Sequence, residues 1–201
     1  ILAIGDNAFA YVDSLQSITI PDSVTSIGHS AFLFCRGLTD VTIPDSVTHI
    51  SQKAFSCCFQ LTSITLPSGL TAIESGTFDL CKSLTTIDIP DSVAAIADDA
   101  FIGCKALQSF TLSPNHPYFF LADDALCRTA DSTLLLYPNA RENRTYRIPD
   151  GIAAISAYAF YDCDLLESVV IPDSITQIPE RAFYGCSALA SVSLPDSLTA
   201  I

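Results

Sequence analysis

The chain has 201 residues, of which 49% are apolar and only 15% are charged, a composition that excludes an intrinsically disordered protein. Its 22 acidic residues outnumber its 9 basic ones and give a net charge of −13, which disfavours binding to nucleic acid or to an anionic membrane surface. The sequence contains no apolar run long enough to span a bilayer, no signal peptide and no Met. We therefore expect a segment of a longer protein.

One motif recurs along the chain at intervals of 23 residues, beginning with an Ala-Phe pair at Phe9. A Leu follows each Phe by six residues, and two apolar residues separated by one position come next. A Pro-Asp-Ser segment and a Val-x-x-Ile segment complete the unit, which reads A-F-x-x-C-x-x-L-x-x-I-x-I-P-D-S-V-T-x-I. The phenylalanines that mark the repeats are Phe9, Phe32, Phe55, Phe78, Phe101, Phe160 and Phe183.

Each repeat is predicted to form one coil of a solenoid. The alternation in I-x-I indicates a short strand with one buried face, the Pro ends that strand, and A-F-x-x-C is predicted to form one turn of helix. A lone repeat would bury about six large side chains at roughly 1.5–3 kcal/mol each, which is less than the backbone entropy lost on ordering it. Stacking on neighbours makes up the difference. The sequence therefore predicts an α/β-type, strand-rich solenoid with parallel strands over residues 1–201.

The repeat closely resembles that of the BspA-like leucine-rich repeat proteins, and the resemblance covers the whole chain. It implies a leucine-rich repeat fold. It further implies a secreted or wall-attached surface protein of a host-associated microbe, which adheres to host or microbial surface molecules.

One repeat, at residues 113–147, is irregular and longer by 13 residues. Two apolar runs flank a short polar segment, which indicates an inserted β-hairpin. We expect the Phe position of this repeat at Asp124 and a return to the regular pattern only at Ile148. A long repeat variant of the BspA-like family is similar, and the matching residues are Asn115, Tyr118, Asp123, Leu126, Leu134, Tyr137 and Pro138.

The irregular repeat concentrates arginines and aromatic residues, the residue types that dominate binding hot spots. The predicted binding residues are Tyr118, Phe120, Arg128, Tyr137, Arg141, Arg144, Tyr146 and Arg147. The alternative is a structural variant repeat whose solvated arginines balance an acidic rod.

Six of the eight cysteines occupy one position of the repeat: Cys35, Cys58, Cys81, Cys104, Cys163 and Cys186. Eight cysteines in a short secreted chain would indicate disulfides, but parallel side chains in such a row disfavour the disulfide dihedral angle. We therefore expect reduced, buried thiols in this cysteine row. Cys57 lies outside the row and is the predicted reactive thiol.

Few residues suggest catalysis or metal binding. His116 with Cys127 and Asp123 is the one conceivable nucleophile–base group. The Asp of Pro-Asp-Ser forms a row that indicates either turn chemistry or weak Ca²⁺ sites, and we favour turn chemistry because no further acids complete a coordination shell. The row comprises Asp22, Asp45, Asp91, Asp150, Asp173 and Asp196. We expect no metal and no cofactor.

The outward positions of the predicted strands are mostly Ser and Thr, which favours weak, extended contact over a tight pocket. The positions after each Phe carry further candidates for contact with a protein or a second copy: Tyr11, Leu33, Phe34, Leu80, Ile102, Tyr161 and Tyr184.

Three functions are compatible with these observations. The leading hypothesis is a non-catalytic extracellular adhesion module that binds a protein or glycan through residues 118–147. The second is a stiff spacer that presents other domains. The third, an enzyme built on Cys127 and His116, is the weakest because no catalytic motif surrounds them.

Overall fold

The structure is a computed structural model that describes residues 2–200, so Ile1 and Ile201, the two ends of the predicted array, lie outside the described residues. Short strands dominate it, and no helix capable of crossing a bilayer occurs among these residues. In chain order the strands are β1 (Leu2–Ile4), β2 (Val24–Ile27), β3 (Asp40–Thr42), β4 (His49–Ile50), β5 (Ser63–Thr65), β6 (Ala72–Ile73), β7 (Thr86–Asp88), β8 (Ala95–Ile96), β9 (Ser109–Thr111), β10 (Phe119–Ala122), β11 (Ala125–Arg128), β12 (Thr133–Leu136), β13 (Thr145–Arg147), β14 (Ala154–Ile155), β15 (Ser168–Val170) and β16 (Ser191–Ser193).

The coils stack in parallel with a register of one repeat. In β3 and β5, Asp40 is paired with Ser63, and in β7 and β9, Thr86 is paired with Ser109. The I-x-I segments form one row of strands, β3, β5, β7, β9, β13, β15 and β16, whose exposed side we call the strand face. The Val-x-x-Ile segments form a second row, which includes β2, β4, β6, β8 and β14. The predicted strand-rich solenoid is therefore confirmed.

Phenylalanine rings of consecutive regular coils stack on one another in the core. Phe32 and Phe55 have ring centroids 5.1 Å apart, and Phe78 lies 6.0 Å from Phe55. These rings are fully buried. Because one ring of this size contributes several kcal/mol when it leaves water, the stack couples each coil to its neighbours.

The predicted helical turn in A-F-x-x-C is wrong, because the structure contains no helix within residues 2–200. Ser30 and Phe34, two positions before and after Phe32, have φ values of 54° and 59° and interrupt any helical run. Because these residues have positive φ, every second peptide N–H of the segment points toward the next coil. The N–H of Phe32 donates to Ala54 O at 2.8 Å, and the N–H of Phe34 donates to Ser56 O at 2.9 Å. We call these segments the turn face.

The irregular repeat inserts a three-stranded antiparallel meander, one strand more than the predicted hairpin. Strand β10 is antiparallel to β11, β11 is antiparallel to β12, and β12 returns to run parallel to β14. Strands β11 and β12 are buried on both faces, and they separate the core into two clusters. Leu126 packs in the cluster that precedes the meander, whereas Cys127 packs in the cluster that follows it.

The regular pattern resumes at Tyr137, which corrects the expectation of Asp124 for the Phe position and of Ile148 for the recovery. The N–H of Tyr137 donates to Ala159 O at 2.8 Å, as the regular Phe residues do, and its ring stacks 5.4 Å from Phe160. Tyr146 is then paired with Val169 in β13 and β15. A Tyr in place of Phe hides this position from a motif search.

Candidate binding surface

Two of the predicted binding residues lie in the core. Tyr137 and Tyr146 are only 1% and 2% exposed, because they fill the Phe and first Ile positions of the irregular coil. The hydroxyl of Tyr146 donates to Ala122 O at 2.9 Å, and burial raises its pKa. The hydroxyl of Tyr137 donates to Asn143 O at 3.4 Å. Neither side chain can reach a partner without unfolding, so their predicted place at the surface is corrected.

Arg141 holds the irregular repeat together, although we predicted it to be a binding residue. Its side chain is only 11% exposed, and Nη2 lies 3.0 Å from Asp123 Oδ1 and 3.1 Å from Asp124 Oδ2. Nη1 also donates to the carbonyl oxygen of Asp123 at 2.5 Å. The guanidinium carbon lies 5.6 Å from the ring centroid of Tyr137. Arg141 therefore joins the β10–β11 turn to the coil.

The other predicted residues are accessible but lie apart. Tyr118, which is 44% exposed, and the half-buried Phe120 lie at the start of the meander. Arg128 lies at its far turn, where Nη2 is 2.9 Å from Asp131 Oδ2 and the resulting hydrogen bonds lower the pKa of Asp131 to about 2. Arg144 and Arg147 leave the meander altogether and lie in or beside β13.

Arg144 and Arg147 belong to the strand face. Their side chains are 65% and 66% exposed, and they pair with Glu167 and Asp150. Elsewhere on this face β3, β5, β7 and β9 carry Ser, Thr and Asp side chains, and the adjoining β15 and β16 carry Ser168, Val170, Ser191 and Ser193. The sequence signal for this placement was available, because Arg144 precedes Glu167 by one repeat and Arg147 precedes Val170 by one repeat.

A groove adjoins Arg147 on the strand face. It encloses about 390 Å³ and is lined by Arg147, Asp150, Pro172, Asp173 and Leu194 among others. Leu194 is an exposed apolar side chain there. The strand ladder is also interrupted nearby, since no backbone hydrogen bond among the described residues joins β9 to β13. The strand face thus combines hydroxyls, two exposed guanidinium groups and an apolar contact.

The cysteine row is a ladder of thiol hydrogen bonds. Five of the six thiols donate to the carbonyl oxygen of the Phe in the preceding coil, as in Cys58 to Phe32 O at 3.2 Å and Cys81 to Phe55 O at 3.2 Å. The sixth, Cys163, donates to Tyr137 O at 3.9 Å. All eight cysteines are free, and burial raises the pKa of Cys58 and Cys81. Cys57, the predicted reactive thiol, is also buried, and burial raises its pKa.

The predicted Cys–His group does not assemble. Both ring nitrogens of His116 are occupied, with Nε2 lying 3.0 Å from Pro90 O and Nδ1 accepting the N–H of Phe119 at 3.2 Å. The thiol of Cys127 donates to Ala125 O at 3.6 Å, and burial raises its pKa to about 12. His116 therefore acts as a structural bridge between coils.

One member of the Asp row, Asp45, contacts the backbone of the next coil. Asp45 Oδ1 accepts the N–H of Ser68 from the next coil at 2.8 Å, and this hydrogen bond lowers the pKa of Asp45. The Ser of the same motif contacts the backbone of the preceding coil, since the hydroxyl of Ser46 donates to Val24 O at 2.7 Å. Within residues 2–200 no group of three or more His, Cys, Asp or Glu side chains is arranged to hold a metal ion.

Several solved structures share this fold. The pneumococcal vaccine antigen PcpA is 24% identical with a TM-score of 0.79 over 87% of this chain, which spans 44% of that protein's chain. A leucine-rich repeat protein from Bacteroides ovatus ATCC 8483 is 30% identical with a TM-score of 0.70 over 100% of this chain and 54% of its own. A leucine-rich cell surface protein from Faecalibacterium prausnitzii A2-165 is 28% identical with a TM-score of 0.58, over 95% of this chain and 76% of its own. No curated protein matches the chain.

A family model also describes the repeats. The model for the BspA type leucine rich repeat region matches in six copies, over residues 2–120 and 138–201. The unmatched stretch contains the inserted strands β11 and β12. Because the match covers most of the sequence, the chain belongs to the BspA-type leucine-rich repeat family.

Proposed function

We propose that this chain is a non-catalytic binding module of a microbial surface protein, with the strand face as its contact surface. The placement of Arg144 and Arg147 on a hydroxyl-rich face carries the proposal. Their ion pairs with Glu167 and Asp150 are exposed, and such pairs contribute little to stability. A ligand carboxylate or carbonyl can therefore replace those partners at small cost.

The relatives support a surface location. The Faecalibacterium prausnitzii protein is described as a cell surface protein and PcpA as a vaccine antigen. Adhesion to host or microbial surface molecules is the activity we infer from this setting. The partner is a protein or glycan with polar groups spaced along an extended surface, because the strand face offers many weak contacts instead of one deep pocket.

A structural spacer is the second candidate. The parallel strand ladders and the stacked rings favour it, because both stiffen the coils along their stacking direction. A spacer would tolerate changes at exposed arginines without loss of function, whereas a binding module would not.

Immobilised-ligand binding assays separate the two. The purified chain is tested against extracellular-matrix proteins, mucin and bacterial cell-wall glycans, together with an Arg144→Ala/Arg147→Ala variant. Arg181→Ala is the matched control, because that side chain is exposed and lies outside the strand face. Saturable binding that the double variant loses and the control keeps supports the proposal. An absence of binding across the panel supports the spacer.

A further inference from the structure

A second surface, on the turn face, carries positive charge along several coils. The fourth residue after each Phe is Arg36, Phe59, Lys82 and Lys105 in four consecutive repeats. These side chains lie one above another at the corner where the turn face leads into the strand row. Ring spacings of 5.1–6.0 Å in the adjacent phenylalanine stack set the distance between coils.

Most basic side chains of the chain, including Lys105, are neutralised by carboxylates. Six of them lie within 3.5 Å of a carboxylate oxygen: Lys105 with Asp164, Arg128 with Asp131, Arg141 with Asp123, Arg144 with Glu167, Arg147 with Asp150, and Arg181 with Glu180.

Arg36 and Lys82 differ from this set because, among residues 2–200, they contact aromatic rings without a carboxylate oxygen within 3.5 Å. The nearest carboxylate to Arg36 is Asp13, 3.8 Å away and more than half exposed, and Lys82 has none within ion-pair distance among residues 2–200. The guanidinium carbon of Arg36 lies 5.3 Å from the ring centroid of Phe34 and 5.6 Å from that of Phe59. Lys82 Nζ lies 4.6 Å from the Phe59 centroid. Cation–π contacts fix the position of a charge without cancelling it.

Phe59 adds an apolar element between the two cations. It is half-buried, and its ring meets the edge of Phe34 with centroids 6.2 Å apart. An aromatic ring flanked by cations suits a sugar ring that carries a carboxylate or sulfate. The apolar face of such a sugar packs on aromatic carbon while its anionic group meets the cation. Arg36 and Lys82 lie two repeats apart with Phe59 between them, so a polysaccharide that runs across the coils would meet a cation, the ring and the second cation in turn.

We propose that Arg36, Phe59 and Lys82 form a binding site for an acidic polysaccharide. The rest of the surface favours this assignment, because a net charge of −13 repels polyanions everywhere except at a local cationic patch. In this patch Arg36 has only a long, exposed ion pair with Asp13, and Lys82 has no carboxylate within ion-pair distance among residues 2–200. The site is independent of the strand face, and its failure leaves the function proposed above untouched.

The probes for the test are heparin, hyaluronan, neutral dextran and poly-L-glutamate, measured by surface plasmon resonance at low and physiological salt. We expect heparin or hyaluronan to bind with an affinity that falls as salt rises, and dextran not to bind. Arg36→Gln/Lys82→Gln should weaken that binding by about tenfold or more, since two ligand-facing charges are removed while their stems stay. Arg181→Ala is the matched control and should bind as the unaltered chain does.

A second variant separates the sugar from charge alone. Phe59→Leu keeps both cations and an apolar side chain, and we expect it to lower polysaccharide affinity several-fold. Circular dichroism melting confirms that each variant folds. The proposal is overturned if no acidic polysaccharide binds at low salt, or if the double variant binds normally. It is also overturned if poly-L-glutamate binds as tightly as heparin and Phe59→Leu changes neither, because the site would then recognise acidic peptides.

Discussion

Arg141 Nη2 lies 3.0 Å from Asp123 Oδ1, across 18 residues that include the whole β11–β12 hairpin. Asp123 and Asp124 both have positive φ, 48° and 66°, in the turn between β10 and β11. One guanidinium group therefore satisfies two carboxylates and a carbonyl oxygen at a strained turn. Arg141 resembles a binding residue in sequence, but through this contact it stabilises the fold.

Replacing Arg141 should destabilise the fold more than replacing an exposed arginine. Arg141→Ala leaves the β10–β11 turn without its charged partner and uncovers the Tyr137 ring, so we expect a loss of about 2–3 kcal/mol in unfolding free energy. Arg144→Ala should cost under about 1 kcal/mol, because its ion pair is exposed. Urea titration followed by circular dichroism measures both. Equal effects would show that Arg141 is not structural.

The phenylalanine stack should dominate stability. Phe55→Ala removes a fully buried ring that stacks on Phe32 and Phe78, and we expect a loss of about 3–5 kcal/mol in unfolding free energy. Phe34→Ala, on the half-buried turn face, is the matched comparison and should cost less. Thermal melting of the two variants checks the order, and a smaller effect at Phe55 would contradict the described core.

The buried thiols should resist modification. We expect Cys58, Cys81 and Cys104 to react with Ellman's reagent only after denaturation, because burial hides their sulfur atoms and raises their pKa. Cys186 is half-buried and should react first, so Cys186→Ser should remove the fast phase. Rapid labelling of Cys57 in the native protein would contradict its burial.

Asp131 should give the fold an acid-sensitive contribution. Its pKa is lowered to about 2 by hydrogen bonds from Arg128 and Thr133, so the ionised form stabilises the meander above its ordinary pKa and loses that effect as the pH falls toward 2. Because the pair is largely exposed, Asp131→Asn should cost under about 1 kcal/mol at neutral pH. The difference from the unaltered chain should disappear as the pH falls through 2, where Asp131 becomes protonated. A cost independent of pH would exclude the ion pair as its cause.

The regular coils could be predicted from sequence because each repeat buries the same positions against its neighbours. Phe32, Cys58 and Val41 each occupy a position whose burial follows from the period of the motif. The turn segments could not be predicted, since a positive φ at Ser30 or Phe34 has no marker when the residue is not Gly. Hydrogen bonds to the neighbouring coil, which the segment alone does not reveal, outweigh local helix formation there.

The irregular repeat was harder to predict because other residue types occupy its buried motif positions. Tyr137 takes the position of Phe and Tyr146 that of Ile, so both are buried, although tyrosines in an arginine-rich segment suggest a surface site. The cationic patch could not be predicted from the repeat pattern either. Arg36 and Lys82 are two repeats apart, and only Phe59 between them brings the set together.

The most direct test of the central claim compares charge reversal on the two faces with the same ligand. An extracellular-matrix protein that binds the unaltered chain is titrated against Arg144→Glu/Arg147→Glu and against Arg36→Glu/Lys82→Glu. The strand-face variant should raise the Kd by about tenfold or more, because each reversal replaces an attraction by a repulsion. The turn-face variant should bind a protein ligand with unchanged Kd. Unchanged binding in the strand-face variant would contradict the account.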